Sequence, residues 1–264
     1  MNDAFERRFS GLRRLYGAAA AQRIFDAKVV VVGIGGVGSW SAEALARSGV
    51  RRLTLIDLDH VSESNINRQI HALTPTFGQS KVAAMRERIA LIHPGCEVDT
   101  IDDFVSPQNW PGLLASRSDQ PSALPSALID ACDQMSAKTA LAAWAVLHRV
   151  PFVSVGAAGG KRQAAAVEVA DLAAVTHDPL LAQLRYRLRR HHGGAREGPM
   201  GVACVFSREA TAAPDSTCAA DRPDGSLNCH GYGSAVSVTA TFGLCAAGWV
   251  MNTLASSGRK NCIA

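Results

Sequence analysis

Gly33-Ile34-Gly35-Gly36-Val37-Gly38-Ser39 decides the fold. It follows the apolar run Lys28–Val32 and precedes a helix-like run, Trp40–Arg47. A strand, a glycine turn and a helix N-terminus together form a phosphate cradle. The glycines let the backbone approach the anion, and the free N–H groups and helix dipole favour its charge. By itself the pattern specifies only a nucleotide. The default expectation is a dinucleotide, with an acid about twenty positions on to hold ribose hydroxyls. Asp57, at the end of a second strand, meets that description. A dinucleotide-dependent oxidoreductase is therefore an open reading at this point.

Outward from the turn, strands alternate with helices. Val29–Val32 leads into Ser39–Arg47, Leu53–Ile56 into a helix near Ser80–Ile92, and Val98–Ile101 into a short helix after Pro107. Ala127–Ile129 precedes a helix at Ala137–His148, and Pro151–Val155 begins another strand. This alternation predicts an α/β fold, a doubly wound, mostly parallel Rossmann-like sheet with helices on both faces. Residues 1–27 read as an N-terminal helical arm, broken near Gly11 and Gly17. Further strands are expected at Ala165–Val169 and Val202–Phe206, with a basic helix at Leu180–Arg190 between them. Ser116–Ser126 and a mobile loop at about 208–230 are rich in turn residues. Residues 1–264 read as a single nucleotide-binding domain.

Hydrophobic residues make up 47% and charged residues 19% of the 264, the balance of a soluble globular protein. The net charge of +4 permits an anionic partner without demanding one. The seven cysteines (96, 132, 204, 218, 229, 245 and 262) form no C-x-x-C pair. With no secretory leader, reduced thiols in a cytoplasmic protein are expected. Residues 235–251 are mostly apolar and long enough to span a bilayer. Ser237, Thr239, Thr241, Gly243 and Gly248 interrupt the run, and no basic cluster flanks its N-terminal side. A buried or subunit-interface helix is the preferred reading, without stable membrane insertion. Membrane association through 235–255 is the lesser alternative.

The residues after Asp57 weaken the dinucleotide reading. Asp57-Leu58-Asp59-His60-Val61-Ser62-Glu63-Ser64-Asn65-Ile66-Asn67-Arg68-Gln69 is polar and specific, and a ribose acid needs no such sequel. A triphosphate site can use it: Arg68 offers a rigid fork for phosphate oxygens, and Asn65 and Gln69 offer neutral hydrogen bonds. Lys81, opening the next helix, adds a point charge. Asp130-Ala131-Cys132-Asp133 follows the strand Ala127–Ile129. A carboxylate at that carboxyl edge can hold Mg²⁺ against phosphates, while helix capping is the bland role for one of the two aspartates.

G-x-G-G-x-G-S, D-x-D, S-N-x-N-R-Q, Lys81 and D-x-x-D occur here in the order of the ubiquitin-activating-enzyme-like superfamily, which the chain resembles. That superfamily includes the adenylating enzymes of molybdopterin and thiamin biosynthesis. The resemblance implies ATP and Mg²⁺, used to activate a carboxylate as an acyl-adenylate. It places Gly33, Gly35 and Gly36 at the phosphates, with Asp57 on the ribose. It puts Asp59, Ser64, Asn65, Asn67, Arg68, Gln69, Lys81 and Gln134 around the nucleotide, and Asp133 on Mg²⁺. It gives Arg68, Lys81 and Asp133 catalytic roles, and brings Arg14 from the partner subunit of a homodimer, with Arg13 the alternative. The paired C-x-x-C zinc motifs common in the sulfur-carrier branch are absent.

Beyond the nucleotide site the chain resembles the branch that dehydrates threonylcarbamoyladenosine in tRNA. Arg14-Leu15-Tyr16-Gly17, Asn67-Arg68-Gln69-Ile70-His71-Ala72-Leu73, Asp102-Asp103-Phe104-Val105, Asp178-Pro179-Leu180, Val205-Phe206-Ser207, Gly231-Tyr232-Gly233-Ser234 and Thr239-Ala240-Thr241-Phe242-Gly243 carry that likeness. The implied partner is tRNA bearing threonylcarbamoyladenosine beside its anticodon. The rival readings are an adenylating enzyme for a ubiquitin-like sulfur carrier, the oxidoreductase above, and a catalytically silent scaffold in sulfur trafficking. Arg185, Arg187, Arg189, Arg190 and Arg196, with His191 and His192, form a basic helix and loop that would attract RNA phosphates. Cys229 aligns with a cysteine of that branch linked to persulfide exchange with a cysteine desulfurase system. A thiolate there would need local activation.

Overall fold

Lys28-Val29-Val30-Val31-Val32 shows no alternation because both of its faces are covered. In the computed structural model, which describes residues 3–115, 124–212 and 232–257, this run is β1 (Lys28–Val32). Val29 and Val31 point into one apolar layer, Val30 and Val32 into the other. β1 pairs on one side with β2 (Arg52–Ile56) and on the other with β4 (Ala127–Asp130), both parallel. With β3 (Glu97–Ile101), β5 (Phe152–Val155), β6 (Val167–Asp171) and β7 (Ala203–Ser207), the seven-stranded order is β3-β2-β1-β4-β5-β7-β6. Neighbours run parallel except β6 and β7, which pair antiparallel. The doubly wound, mostly parallel sheet expected from the sequence is the one observed.

Two helical layers cover the sheet. The first contains α2 (Ala18–Phe25), α3 (Gly38–Arg47), α4 (Lys81–Ile92) and α8 (Val236–Ser256), packed on Val29, Val31, Leu53, Leu55 and Ile129. The second contains α6 (Met135–His148) and α7 (Pro179–His191), packed on Val30, Val32, Leu128, Phe152 and Phe206. A four-residue helix, α5 (Gly112–Ala115), stands where a short helix was expected after Pro107.

The arm differs from expectation at one glycine. α1 (Asp3–Tyr16) runs unbroken through Gly11, while Gly17, at φ +83°, separates it from α2. A helical glycine costs only about 1 kcal/mol against alanine, and here Phe5 and Phe9 pack on Phe25 across the turn. β6 begins two residues later than expected. Ala164–Ala166 makes a 3-10 turn instead, and the strand starts at Val167, its first β-branched residue.

The apolar C-terminal run is a core helix of this fold. α8 is long and apolar enough to cross a membrane, yet half of its apolar window is buried inside the protein. Its small residues serve a close crossing with α3. A Cβ on Gly243 would lie 2.4 Å from the Val37 carbonyl oxygen and 2.8 Å from Trp40 Cβ. Ser41 Oγ donates to the Gly243 carbonyl at 3.0 Å. Gly243→Ala should therefore lower stability by about 1–3 kcal/mol, the usual cost of overpacking. Urea unfolding would show a lower midpoint with an unchanged slope; an unchanged midpoint would contradict the close crossing.

Candidate active site

β1 and β4 are neighbours whose connections leave to opposite faces of the sheet, so a crevice opens beyond their carboxyl ends. Two loops cross there at backbone contact. Gly33 has φ +85°, and a Cβ on it would sit 2.8 Å from the backbone of Ala131. A Cβ on Gly38 would strike the Gly33 carbonyl oxygen. Glycine is required at both positions by the protein itself. Gly35 differs: a Cβ there would meet no protein atom within 4 Å. At Gly36 it would press on Arg68 Cγ at 3.2 Å, so the bare turn lets the arginine stem lie across it.

The crevice is a cleft of about 750 Å³. It brings Gly33, Gly35, Gly36, Asp57, Asp59, Ser64, Asn65, Arg68, Gln69, Lys81, Asp133 and Gln134 together, from five separate stretches of sequence. Lys81 is 8% exposed, and its Nζ lies 2.6 Å from Asp59 Oδ2, whose own side chain is 60% exposed. Arg68 Nη1 donates to the Ser64 carbonyl (2.8 Å) and to Asn67 Oδ1 (2.9 Å), and Trp40 Nε1 donates to the Arg68 carbonyl (3.0 Å). The residue is thus held at its backbone and at one nitrogen of its fork. Asp57 accepts from the backbone N–H of Ile34 (2.6 Å) and of Asp59 (2.9 Å). Burial raises its pKa, opposed by Lys81 and by those two N–H bonds.

Some expected ligands hold the site instead of facing into it. Asn65 Oδ1 closes a capping box on the Ser62 N–H at 3.0 Å, which leaves its amide group to meet a ligand. Asn67 is not among the residues lining the cleft; its Nδ2 donates to the Ser234 carbonyl at 3.0 Å and ties the Arg68 segment to the approach to α8. Gln69 is buried with Oε1 unpartnered beside the cleft. The two aspartates of D-x-x-D have different roles. Asp130 is completely buried: Lys138 Nζ lies 2.7 Å from Oδ2, Ser154 Oγ donates to the same oxygen at 2.7 Å, and the Cys132 thiol faces Oδ1 at 3.0 Å. Asp133 lines the cleft, and the N-cap of α6 is Gln134, so capping is not its role. Among the described residues no three His, Cys, Asp or Glu side chains converge on a metal. One carboxylate fits Mg²⁺ brought in by phosphates, since that ion commonly takes one or two carboxylates with phosphate oxygens and water.

A second cavity of about 370 Å³ adjoins the cleft and shares Gly36, Arg68, Ala131, Cys132 and Asp133 with it. Its far walls are Val155–Gly159, the first turn of α7, Thr211 and Tyr232. Sequence reasoning quoted Asp178-Pro179-Leu180, Tyr232, Ser234 and Thr239 only as marks of family likeness and gave them no place in a site. Asp178 is a buried N-cap of α7, accepting from Leu181 N–H (3.0 Å), and also accepts from Ala157 N–H (2.9 Å). Buried Lys161 donates to the carbonyls of Ser207 (3.0 Å) and Glu209 (2.9 Å). Burial lowers its pKa, opposed by Asp178 and Glu209. The D-P signal of a capped helix start could have identified Asp178; nothing local marks Lys138 or Lys161. The described cysteines are free thiols, and burial, with Asp130 next, raises Cys132 well above the usual thiol range. Cys229 lies outside the described residues.

The comparisons with known proteins agree with this geometry. The ThiF family model matches residues 7–262. The chain is 44% identical to the tRNA threonylcarbamoyladenosine dehydratase of Escherichia coli, over 93% of this chain and 92% of that one. It is 38% identical to the Haemophilus influenzae protein of the same name, over 96% and 95%. The molybdopterin-synthase adenylyltransferase of Salmonella typhimurium matches at 35% over only 49% of each chain. The crystal structure of the Escherichia coli dehydratase in complex with ATP superposes with a TM-score of 0.83, covering 96% of both chains at 43% identity. The chain belongs to the ThiF family, and the resemblance to its dehydratase branch is borne out.

His71 supplies a pH test of the site's support. It is 1% exposed, with neither ring nitrogen partnered. Burial, then Lys81 and Arg88, lowers its pKa from 6.5 to about 4. The unfolded chain takes up this proton first, so the neutral ring favours the fold fully above pH 6.5. That advantage is lost as pH falls towards 4, by up to about 3 kcal/mol. His71→Leu should flatten the stability profile between pH 6.5 and 4. Parallel profiles for variant and parent, from urea midpoints, would contradict a buried neutral His71.

Proposed function

We propose that this ThiF-family chain is an ATP-dependent dehydratase that cyclises threonylcarbamoyladenosine next to the tRNA anticodon, working as a cytoplasmic homodimer. The observation that carries this reading is the shared wall between cleft and cavity. Arg68 and Asp133 border both spaces. A nucleotide in the polar cleft would present its α-phosphate at that wall, where a carboxylate held in the second cavity can reach it. The near full-length likeness favours the dehydratase branch over sulfur-carrier adenylation, whose relative matches half of the chain. The seven strands among the described residues share one sheet, which supports reading 1–264 as a single adenylating domain.

In this reading the threonyl carboxylate attacks the α-phosphorus of ATP and pyrophosphate leaves. The carbamoyl group of the same side chain then closes on the activated carbonyl and AMP leaves. The modified adenosine loses one water in total, and its oxygen ends in AMP. Arg68 and Lys81 hold the phosphates and stabilise the charge that develops there. The amides beside Gly35 and Gly36 complete the cradle, Asp57 takes the ribose hydroxyls, and Gln69 and Gln134 supply neutral contacts. Mg²⁺, held by Asp133, would neutralise phosphate charge. No side-chain nucleophile is needed, because the substrate brings both reacting groups and the protein places them.

Arg14 is the arm residue assigned to the partner subunit's phosphates. Arg13 is committed at home: it bonds Glu6 and Gln22 and stacks over Phe25. Cys229 remains a secondary assignment, as a persulfide acceptor from a cysteine desulfurase system.

The deciding experiment is mass spectrometry of nucleosides from threonylcarbamoyl-modified tRNA incubated with protein and ATP. Loss of one water from the modified adenosine is expected; no change would reject the reading. Asp133→Asn should abolish pyrophosphate release while leaving the melting temperature within a few degrees, and an active variant would remove the Mg²⁺ assignment. Arg68→Ala should lower kcat/KM for ATP about 10- to 100-fold, the loss of one charged hydrogen-bonding fork. Unchanged kinetics would take Arg68 out of the site.

A further inference from the structure

α7 connects the second cavity to the solvent along one straight stripe. At about 100° per residue, Gln183, Tyr186, Arg187 and Arg190 fall within one face of the helix. Leu181, Leu184 and Leu188 occupy the opposite face and are buried in the core. Leu180 and Gln183, in the first turns, line the second cavity. The stripe therefore begins at the cavity mouth, where Gln183 is exposed, and runs away from it, with successive turns about 5.4 Å apart.

The residues along that stripe are of different kinds. Tyr186 is 55% exposed, an unusual position for a large ring. The Arg190 guanidinium lies 5.7 Å from the Tyr186 ring centre and hydrogen-bonds its hydroxyl, which fixes the ring against the helix. Not every arginine of the helix is available. Arg185 donates to the carbonyls of Leu172 (3.0 Å) and Val175 (2.8 Å), and Arg189 to that of Ala195 (3.0 Å). Those two brace the protein, leaving Arg187 and Arg190 on the outer face. The helix carries no acidic residue.

A flat exposed ring beside two cations, next to an open cavity, matches single-stranded RNA. Base-on-aromatic stacking tolerates any base, and flanking arginines meet phosphates. We infer that Tyr186 is a stacking platform for the unpaired nucleotide next to the one held in the second cavity, with Arg187 and Arg190 on the intervening phosphates and Gln183 at the cavity mouth. This rests on the proposed function for the identity of the nucleotide in the cavity. An acidic protein segment would satisfy the arginines but would gain nothing from the fixed ring.

The test combines spectroscopy with kinetics. Tyr186→Trp places an indole on the stripe, read against the four native tryptophans by subtracting the parent protein. Its fluorescence should be quenched by a seven-nucleotide anticodon-loop RNA and not by polyglutamate; the reverse would overturn the inference. In the cyclisation assay Tyr186→Ala should raise KM for tRNA about tenfold, within the range expected for loss of one base stack. KM for ATP should not change, and Tyr186→Phe should stay near the parent value. Arg187→Gln with Arg190→Gln should weaken RNA binding and reduce its salt slope by about 1–2. Quenching by RNA without any cyclisation by the parent protein would sustain the surface and reject the proposed function. Normal cyclisation with an unchanged tRNA KM in Tyr186→Ala would reject the surface and sustain the function.

Discussion

The Lys138–Asp130 pair sets the position of everything above it. Both side chains are completely buried, 2.7 Å apart, beneath the carboxyl end of the sheet. Two such charges are costly to remove from water, and they persist only if every donor and acceptor is used. Here they are used. Lys138 also reaches Ser154 Oγ and the Val155 carbonyl, and Asp130 also takes the Ser154 hydroxyl and the Cys132 backbone N–H and thiol. The network joins β4, α6 and β5 at the point where the loop Ala131–Gln134 begins. That loop passes under Gly33 at backbone contact. The position of Asp133 and the shape of the glycine turn are thus consequences of one buried pair and its bonds.

The same loop divides the two spaces. The cleft on one side is lined by many charged and amide groups, while the cavity on the other, apart from the shared Arg68 and Asp133, is lined largely by small and apolar residues, with a few hydroxyls and an amide. In the first, Lys81 and Arg68 are the cations available to phosphates, set among the carboxylates of Asp57, Asp59, Asp103 and Asp133. A neutral base can be desolvated in the second. In the proposed reading, the shared wall would bring two unlike ligands together, and that placement would be the protein's contribution to catalysis. Cys132 is half-buried in that wall, and burial, with Asp130 next, raises its pKa.

The sheet was legible because its signal is local. An uninterrupted valine strand, a glycine turn and a helix form one continuous segment, and the strand–helix alternation repeats it. Besides the glycine turn and Lys81, the cleft residues were legible because most of them cluster in two short runs, from Asp57 and after Ile129. Their division into groups that face a ligand and groups that brace the site was not. Asn65 and Asn67 read alike in sequence, yet one closes a turn and the other ties Arg68 to Ser234. Lys138 gave no signal, since a lysine within a helical run reads as solvent-facing until the sheet beneath it is known. The break expected at Gly11 failed for a related reason: tertiary packing of Phe5 and Phe9 outweighs a small helical cost.

The basic helix shows the same division on the surface. Counted by charge, α7 is a run of arginines; counted by bond, Arg185 and Arg189 are internal braces whose guanidinium groups close the carbonyls of neighbouring loops. The Arg185 brace steadies a segment that leads to the site, since the loop after Leu172 runs to Asp178 and Asp178 fixes the first turn of α7 against Ala157. Affinity for an anionic partner therefore does not scale with the arginine count. It depends on which cations the fold has already committed, and the committed ones act by holding the free ones, and the cavity they flank, in register.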